Sequence, residues 1–223
     1  MVHTFAKAER PGVMTIVHSI ISEDFHRLFF EQFLAELPQD FAHRVRRFRR
    51  WQDAQAALLG RLLLIEVIGK GDHSILSRLE YTHYGRPYIP GFPDFNISHS
   101  GSHVLLACDP FSRIGIDIEE ARPINHEDFR FQMTDNEWLR IDTAPDRLAA
   151  FYTYWTQKEA VIKAHGNGLS LPLKSFEVQD DQTQIGEEVF YVKRIEIAPD
   201  AVCYIASNRQ VTEDIKPRLM AFS

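Results

Sequence analysis

Apolar residues along the chain recur with two different periods, and the changes from one to the other outline the elements. Residues 14–21 (MTIVHSII) are rich in β-branched side chains and predict an opening strand, followed by a helix over residues 25–37 that stops at Pro38. Residues 52–68 predict a second, strongly apolar helix, ended by Gly69 and Gly71. Residues 84–95 (YGRPYIPGFPDF) hold three prolines and two glycines, which predicts an extended, turning loop. Two short strands follow, over 95–98 and 104–108, with a turn at Gly101. The alternation is cleanest in residues 113–119, where Ile114, Ile116 and Ile118 share one face and Gly115, Asp117 and Glu119 the other. Helices are predicted over 128–141 and 145–165, the second stopped by Gly166 and Gly168. Closing strands are predicted over 176–178, 188–197 and 202–207.

The pattern echoes itself. A tryptophan-headed helix with a glycine stop (51–69) precedes a short apolar strand (104–108), and a second such helix (155–166) precedes 202–207 at a similar remove. Two related α/β halves, residues 1–112 and 113–223, would explain the echo and would leave a cleft between them as the default site.

Composition removes several function classes. Hydrophobic residues make up 44% of the 223 residues and charged ones 25%, the balance of a globular protein and not of a disordered or fibrous one. No apolar run approaches the roughly 20 residues of a membrane span, and Met1 to Gly12 lacks an apolar signal core, so a cytoplasmic protein is expected. Cys108 and Cys203 sit in apolar runs without metal-ligand spacing and read as reduced core residues. A net charge of -6 argues against a nucleic-acid coat. One segment runs the other way: Arg44, Arg46, Arg47, Arg49 and Arg50 place five cations in seven positions. Alone this is a solvated helix face; beside phosphate-binding features it becomes a seat for a compact polyanion.

Candidate chemistry starts from Asp117 and Glu119. Two strand rises set their Cα atoms about 6.6 Å apart on one face, so their oxygens can converge on one hard cation such as Mg²⁺. Gly115, on the same face, would leave room for a phosphate. A bare D-x-E is more often the polar face of an edge strand, and the pair gains meaning from what accompanies it. In the segment from Trp155 to Lys163, helical spacing puts Phe151, Trp155 and Ile162 on a buried stripe with Glu159 and Lys163 beside it. Glu159 and Lys163 are spaced for an ordinary helix ion pair worth about 0.2–0.5 kcal/mol, yet they border an aromatic face and precede a Gly-rich loop. Ser98 and His99 add hydroxyl and imidazole groups just past a strand end.

Taken together, Tyr84-Gly-Arg-Pro, Asn96-Ile-Ser-His-Ser100, Gly115-Ile-Asp-Ile-Glu119, Trp155-x-x-Lys-Glu159-x-x-x-Lys163 and the continuation from Gly168 to Phe176 resemble the 4'-phosphopantetheinyl transferases of the surfactin-synthetase-activating (Sfp) type. The resemblance runs from about Arg44 to Phe176. It implies an α+β fold of two similar α/β halves related by a pseudo-twofold axis, with coenzyme A between them. The implied enzyme is a Mg²⁺-dependent monomer that moves phosphopantetheine from coenzyme A to a serine of an apo acyl or peptidyl carrier protein. It releases adenosine 3',5'-bisphosphate.

Residue by residue, the resemblance implies Asp117, Glu119 and Glu159 as metal ligands and Lys163 on the phosphate under attack. Ser98 and His99 would bind a phosphate of coenzyme A, the 3'-phosphate, with Arg44 and Arg86 as further cationic contacts. Glu159 is also the candidate base; ligand, base or both remain open. Arg44 and Arg86 stand where the family commonly has lysine, and Ala57 where a hydroxyl residue often helps hold the 3'-phosphate. Two other readings are a coenzyme A or nucleotide binding protein without turnover, which would not need all these groups, and a nucleic-acid module, which the acidic balance disfavours.

Overall fold

The computed structural model describes residues 13–223, apart from the side chain of Leu169; the expectation about Met1 to Gly12 lies outside the described residues. The first half comprises β1 (Thr15–Ile20), α1 (Glu23–Leu28), α2 (Phe30–Ala35), α3 (Gln39–Val45), α4 (Trp51–Val67), β2 (Glu80–Tyr81), β3 (Pro87–Tyr88), β4 (Asp94–Ser100) and β5 (His103–Asp109). The second comprises β6 (Ile114–Glu120), α5 (Asp135–Thr143), α6 (Arg147–His165), β7 (Gln182–Ile185), β8 (Glu188–Arg194) and β9 (Ala201–Ser207), after which β10 (Arg218–Leu219) returns to pair with β1 of the first, so residues 113–223 do not all belong to the second half. Two four-stranded sheets result, in the orders β10-β1-β5-β4 and β6-β9-β8-β7. The topology repeats. In each half a strand leads through a long helix to a hairpin whose second strand pairs antiparallel with the first strand: β1, α4, β4–β5 and β6, α6, β8–β9. The fold is α+β with two sheet-containing halves, as expected.

Helix α4 packs on the outer face of the first sheet and α6 on that of the second. The inner faces meet, with Ile16, Leu105 and Ala107 of the first sheet sharing a core with Ile114, Ile116, Ile118, Cys203 and Ile205 of the second. Strands β5 and β9 are therefore covered on both sides and buried along their whole length, which explains their unbroken apolar runs. Cys108 and Cys203 are buried in these strands, and neither forms a disulfide.

Several elements differ from expectation for local reasons. The helix expected over 25–37 is two helices, broken at Phe29, whose φ is -127°. An unbroken helix would hold Phe25 and Phe33 about 12 Å apart along its axis; the break lets their rings stack at 5.7 Å. A further helix, α3, follows Pro38, and the arginine cluster lies mostly in the turns between it and α4. The helix expected over 128–141 is a 3₁₀ segment, His126–Gln132, followed by α5. There Thr134 and Glu137 form a reciprocal capping box, which starts a new helix. Residues 176–178 are not a strand: the Phe176 carbonyl accepts from Lys158 Nζ at 2.6 Å, and pairing begins at β7.

The contact that sets the position of the halves is a zipper of side chains on backbone. Strands β4 and β6 are edge strands of different sheets, and β4 spends its polar face on the free edge of β6. Asp94 Oδ2 accepts from Ile114 N at 2.8 Å, Asn96 Oδ1 from Ile116 N at 2.9 Å, Ser98 Oγ from Ile118 N at 3.4 Å and Ser100 Oγ from Glu120 N at 3.1 Å. An edge that would otherwise offer bare N–H groups is satisfied without a ladder. Asn96 is the test of this seam. Asn96→Ala leaves a buried Ile116 N–H without an acceptor and should cost about 1–3 kcal/mol, read as a lower urea midpoint at unchanged m; an unaltered midpoint would contradict the zipper.

Candidate active site at the seam between the halves

The strand period sends Asp117 and Glu119 from β6 toward α6. Gly115 shares that face, but the space expected beside it is filled by α6. A Cβ at 115 would lie 2.1 Å from Ala160 O and 2.3 Å from Ala164 N. The glycine serves close approach of helix to strand, and through that approach Glu159 and Lys163 are brought to Asp117 and Glu119.

Lys163 Nζ donates to Asp117 Oδ1 at 2.5 Å, to Ser98 Oγ at 3.0 Å and to the Ile116 carbonyl at 3.2 Å. Ser98 Oγ donates in turn to Asp117 Oδ1 at 3.1 Å. Asp117 is only 5% exposed, and its Oδ2 is buried with no hydrogen-bond partner. Glu119 is held through both oxygens, by Ser100 Oγ at 2.9 Å and by the Trp155 indole N–H at 3.3 Å. Trp155 is fixed by stacking on Phe151 and by the edge of Phe129. Glu159 accepts no hydrogen bond from the described residues.

Three carboxylates thus share a half-buried site with one ammonium. Burial first, and then the charge of Asp117, pushes the pKa of both Glu119 and Glu159 above the usual carboxylate range, with Lys163 working against it. No three His, Cys, Asp or Glu side chains among the described residues already stand together as a metal nest. The donor chemistry nevertheless fits a hard divalent cation: all oxygen, excess negative charge, and a buried carboxylate oxygen with nothing to satisfy it.

The other expected residues are distributed differently. Ser98 and His99 point to opposite faces of β4. Ser98 is 5% exposed inside the seam, whereas His99 is exposed. The surroundings of the His99 ring lower its pKa, by partial dehydration first and then by the Lys163 charge, while Asp53 on α4 and Asp117 raise it. Arg86 is committed to protein: its side chain, 11% exposed, donates to Asp94 Oδ2 at 2.5 Å, to the Ile114 carbonyl at 2.9 Å and to the Lys163 carbonyl. It clamps the end of α6 to the seam. Arg44 is exposed in the last turn of α3 and lines a depression of ≈ 280 Å³ with Arg47 and Phe48.

Reading the sequence for chemistry missed Asp94, Asn96 and Ser100, although polar residues at 94, 96, 98 and 100 are a visible period of two. It also left Lys158 without a role. Lys158 is fully buried, 2.6–2.7 Å from both Glu137 oxygens, and ties α6 to the capping box of α5.

The crowding has a measurable cost. A carboxyl whose pKa is raised in the folded state carries no penalty at pH values below its unfolded pKa and a full penalty above its folded one, so at neutral pH ionised Glu159 opposes folding. Glu159→Gln should therefore raise the melting temperature of the metal-free protein at pH 7.5 by about 2 °C, with the gain vanishing near pH 4; a lowered melting temperature at neutral pH would contradict the crowding.

Comparison with known proteins agrees with this arrangement. The profile of the 4'-phosphopantetheinyl transferase superfamily matches residues 113–210, and that of the 4'-phosphopantetheinyl transferase N-terminal region matches residues 26–111. The chain is 37% identical over 201 residues to 4'-phosphopantetheinyl transferase Sfp of Bacillus subtilis (strain 168), covering 83% of this chain and 88% of that protein. It is 35% identical over 186 residues to 4'-phosphopantetheinyl transferase ffp of Bacillus subtilis, covering 76% and 82%. A more distant relative is the L-aminoadipate-semialdehyde dehydrogenase-phosphopantetheinyl transferase of Xenopus laevis, 35% identical over 165 residues, covering 65% of this chain and 55% of that one. With matches on both halves and a carboxylate–lysine cluster where they join, the chain belongs to the Sfp-type 4'-phosphopantetheinyl transferases.

Proposed function

We propose that the protein transfers the 4'-phosphopantetheine arm of coenzyme A to a serine hydroxyl of an apo acyl or peptidyl carrier protein, with Mg²⁺, and releases adenosine 3',5'-bisphosphate. The observation that carries this reading is the convergence of Asp117, Glu119, Glu159 and Lys163 at the seam, with Asp117 Oδ2 buried and unpaired. Asp117, Glu119 and Glu159 would hold the cation. When bound, Mg²⁺ would neutralise the pyrophosphate and stabilise charge on the departing oxygen.

The chain's own groups supply the rest. Lys163, pinned by Ser98 and the Ile116 carbonyl, sets a positive charge at the phosphate under attack. Ser100 and Trp155 orient Glu119. Ser98 acts by positioning Lys163 and Asp117, and Arg86 by anchoring α6 to the seam. The phosphate contacts fall to the exposed groups, His99 and Arg44. Glu159 combines a raised pKa with freedom from hydrogen-bond donors, which suits it to take the serine proton while serving as the third ligand.

The reaction written out is balanced. The serine oxygen bonds to the phosphorus nearer pantetheine, the pyrophosphate bridge breaks, the proton goes to the base, and adenosine 3',5'-bisphosphate leaves. We further propose a cytoplasmic protein, and a monomer because the inner sheet faces and the facing edges of β4 and β6 are covered by the two halves of one chain.

The test is to incubate the protein with coenzyme A, Mg²⁺ and several apo carrier proteins and weigh the carriers. A mass gain of one phosphopantetheine is expected, abolished by chelation of the metal. Asp117→Ala should lower the rate at least about 10²-fold while circular dichroism stays native. No gain on any carrier would overturn the proposal.

A further inference from the structure

Glu120 follows Glu119 directly in the chain, yet the strand period turns it to the opposite face of β6. It does not join the three carboxylates. Its own carboxylate lies against the turn between β4 and β5, in the space that a side chain at position 101 would fill. A Cβ on Gly101 would stand 1.4 Å from Glu120 Oε2 and 2.4 Å from its carboxyl carbon. Gly101 also has a left-handed φ of +56°, so the turn favours glycine on two counts, and the glycine leaves room for the acid. From that place Glu120 Oε1 accepts from Arg122 Nε at 3.0 Å, and the carboxylate faces the backbone N–H of Ser102. The Arg122 hydrogen bond first, then the Arg122 charge, the Ser102 N–H and His103 hold the Glu120 pKa below the usual carboxylate range, against partial dehydration.

These contacts close a ring around Glu119. One oxygen of Glu119 is held by Ser100, the last residue of β4 before the turn, and the other by Trp155 of α6. The turn is anchored from both halves: Ser102 O accepts from Ile21 N at 2.8 Å, while the Ser102 N–H faces Glu120. On the far side Arg122 N donates to Tyr152 Oη at 3.2 Å, and that hydroxyl donates back to Arg122 O at 3.0 Å. Tyr152 is buried on α6, one turn before Trp155. The two groups that grip Glu119 are thus tied to each other through Ser102, Glu120, Arg122 and Tyr152. Ser100 Oγ also accepts from Glu120 N at 3.1 Å, so it can serve Glu119 only while the turn stays at this end of β6.

We propose that Glu120 is a positioning residue for the cation: by holding the turn between β4 and β5 against β6 it keeps Ser100 on Glu119, and so fixes the direction in which Glu119 presents its oxygens to the metal. The inference rests on the reading of Glu119 as a ligand. Nothing in the sequence marks Glu120, since it faces away from the other carboxylates and only the position of the turn gives it a role.

Calorimetric titration of Mg²⁺ into the full chain saturated with coenzyme A, with no carrier present, reads the site without turnover. Glu120→Ala should weaken Mg²⁺ about tenfold, the size of effect seen when a group supporting a metal ligand is lost. Glu120→Gln removes the same charge but can still accept from Arg122 and Ser102, so it should keep most of the affinity. Gly101→Ala puts a methyl group where the carboxylate lies and should also weaken Mg²⁺, and adding Glu120→Ala to it should cost no further affinity. Equal losses in Glu120→Ala and Glu120→Gln would assign the effect to charge alone and overturn the inference, as would losses that multiply in the double variant. Wild type and Glu120→Ala with the same Mg²⁺ affinity would overturn it too, while leaving Glu119 as a ligand. Wild type that takes up no Mg²⁺ would overturn the ligand reading itself, and this inference with it.

Discussion

Strand β6 has two kinds of partner, and the site depends on that asymmetry. One edge is laddered to β9 in the usual antiparallel way. The other receives side chains from β4, from Asp94 to Ser100, on every second N–H. Because N–H and C=O groups on that edge point the same way, the carbonyls of Ile114 and Ile116 are also turned to the seam, where Arg86 and Lys163 take them. The residue that caps an N–H of β6, Ser98, therefore also touches the ammonium and the carboxylate beside it. Joining the halves and positioning Asp117 and Lys163 are one set of hydrogen bonds.

A second constraint fixes the rotation of α6. Lys158 and Glu137 are both fully buried, and a charge pair in that position is no cheap source of stability, since dehydration of the two ions offsets much of their attraction. Its effect is directional. With Lys158 held inward by Glu137 and Phe176 O, the next residue, Glu159, must leave the helix toward β6, and Lys163 follows one turn later. Gly115 completes the arrangement by letting the helix backbone rest on the strand.

The strand of residues 114–120 was legible because burial on its Ile face and chemistry on its carboxylate face produce a clean period of two. Helices α4 and α6 were legible from their glycine stops. What escaped were features decided at a distance. Phe29 breaks a helix so that Phe25 and Phe33 can stack, and no local signal distinguishes that from a continuous amphipathic run. The capping box at Thr134 and Glu137 was there to read as T-x-x-E, yet residues 128–141 were predicted as one helix. Ser98 and His99 were grouped because they are neighbours, yet strand geometry separates neighbours to opposite faces. Gly115 was taken as space, when only the position of α6 shows that the space is occupied.

The outer strand of the first sheet is β10, which pairs in parallel with β1 through residues 218 and 219, while Met220 N bonds to His18 O and Phe222 packs against the first core. Everything from β6 to β9 lies between those partners in the chain. A ribosome making this protein would expose the edge of β1 long before it delivered the strand that covers it. The first half therefore waits, incomplete, for the second to emerge, and any block to synthesis between them leaves a sheet edge open to the wrong neighbour.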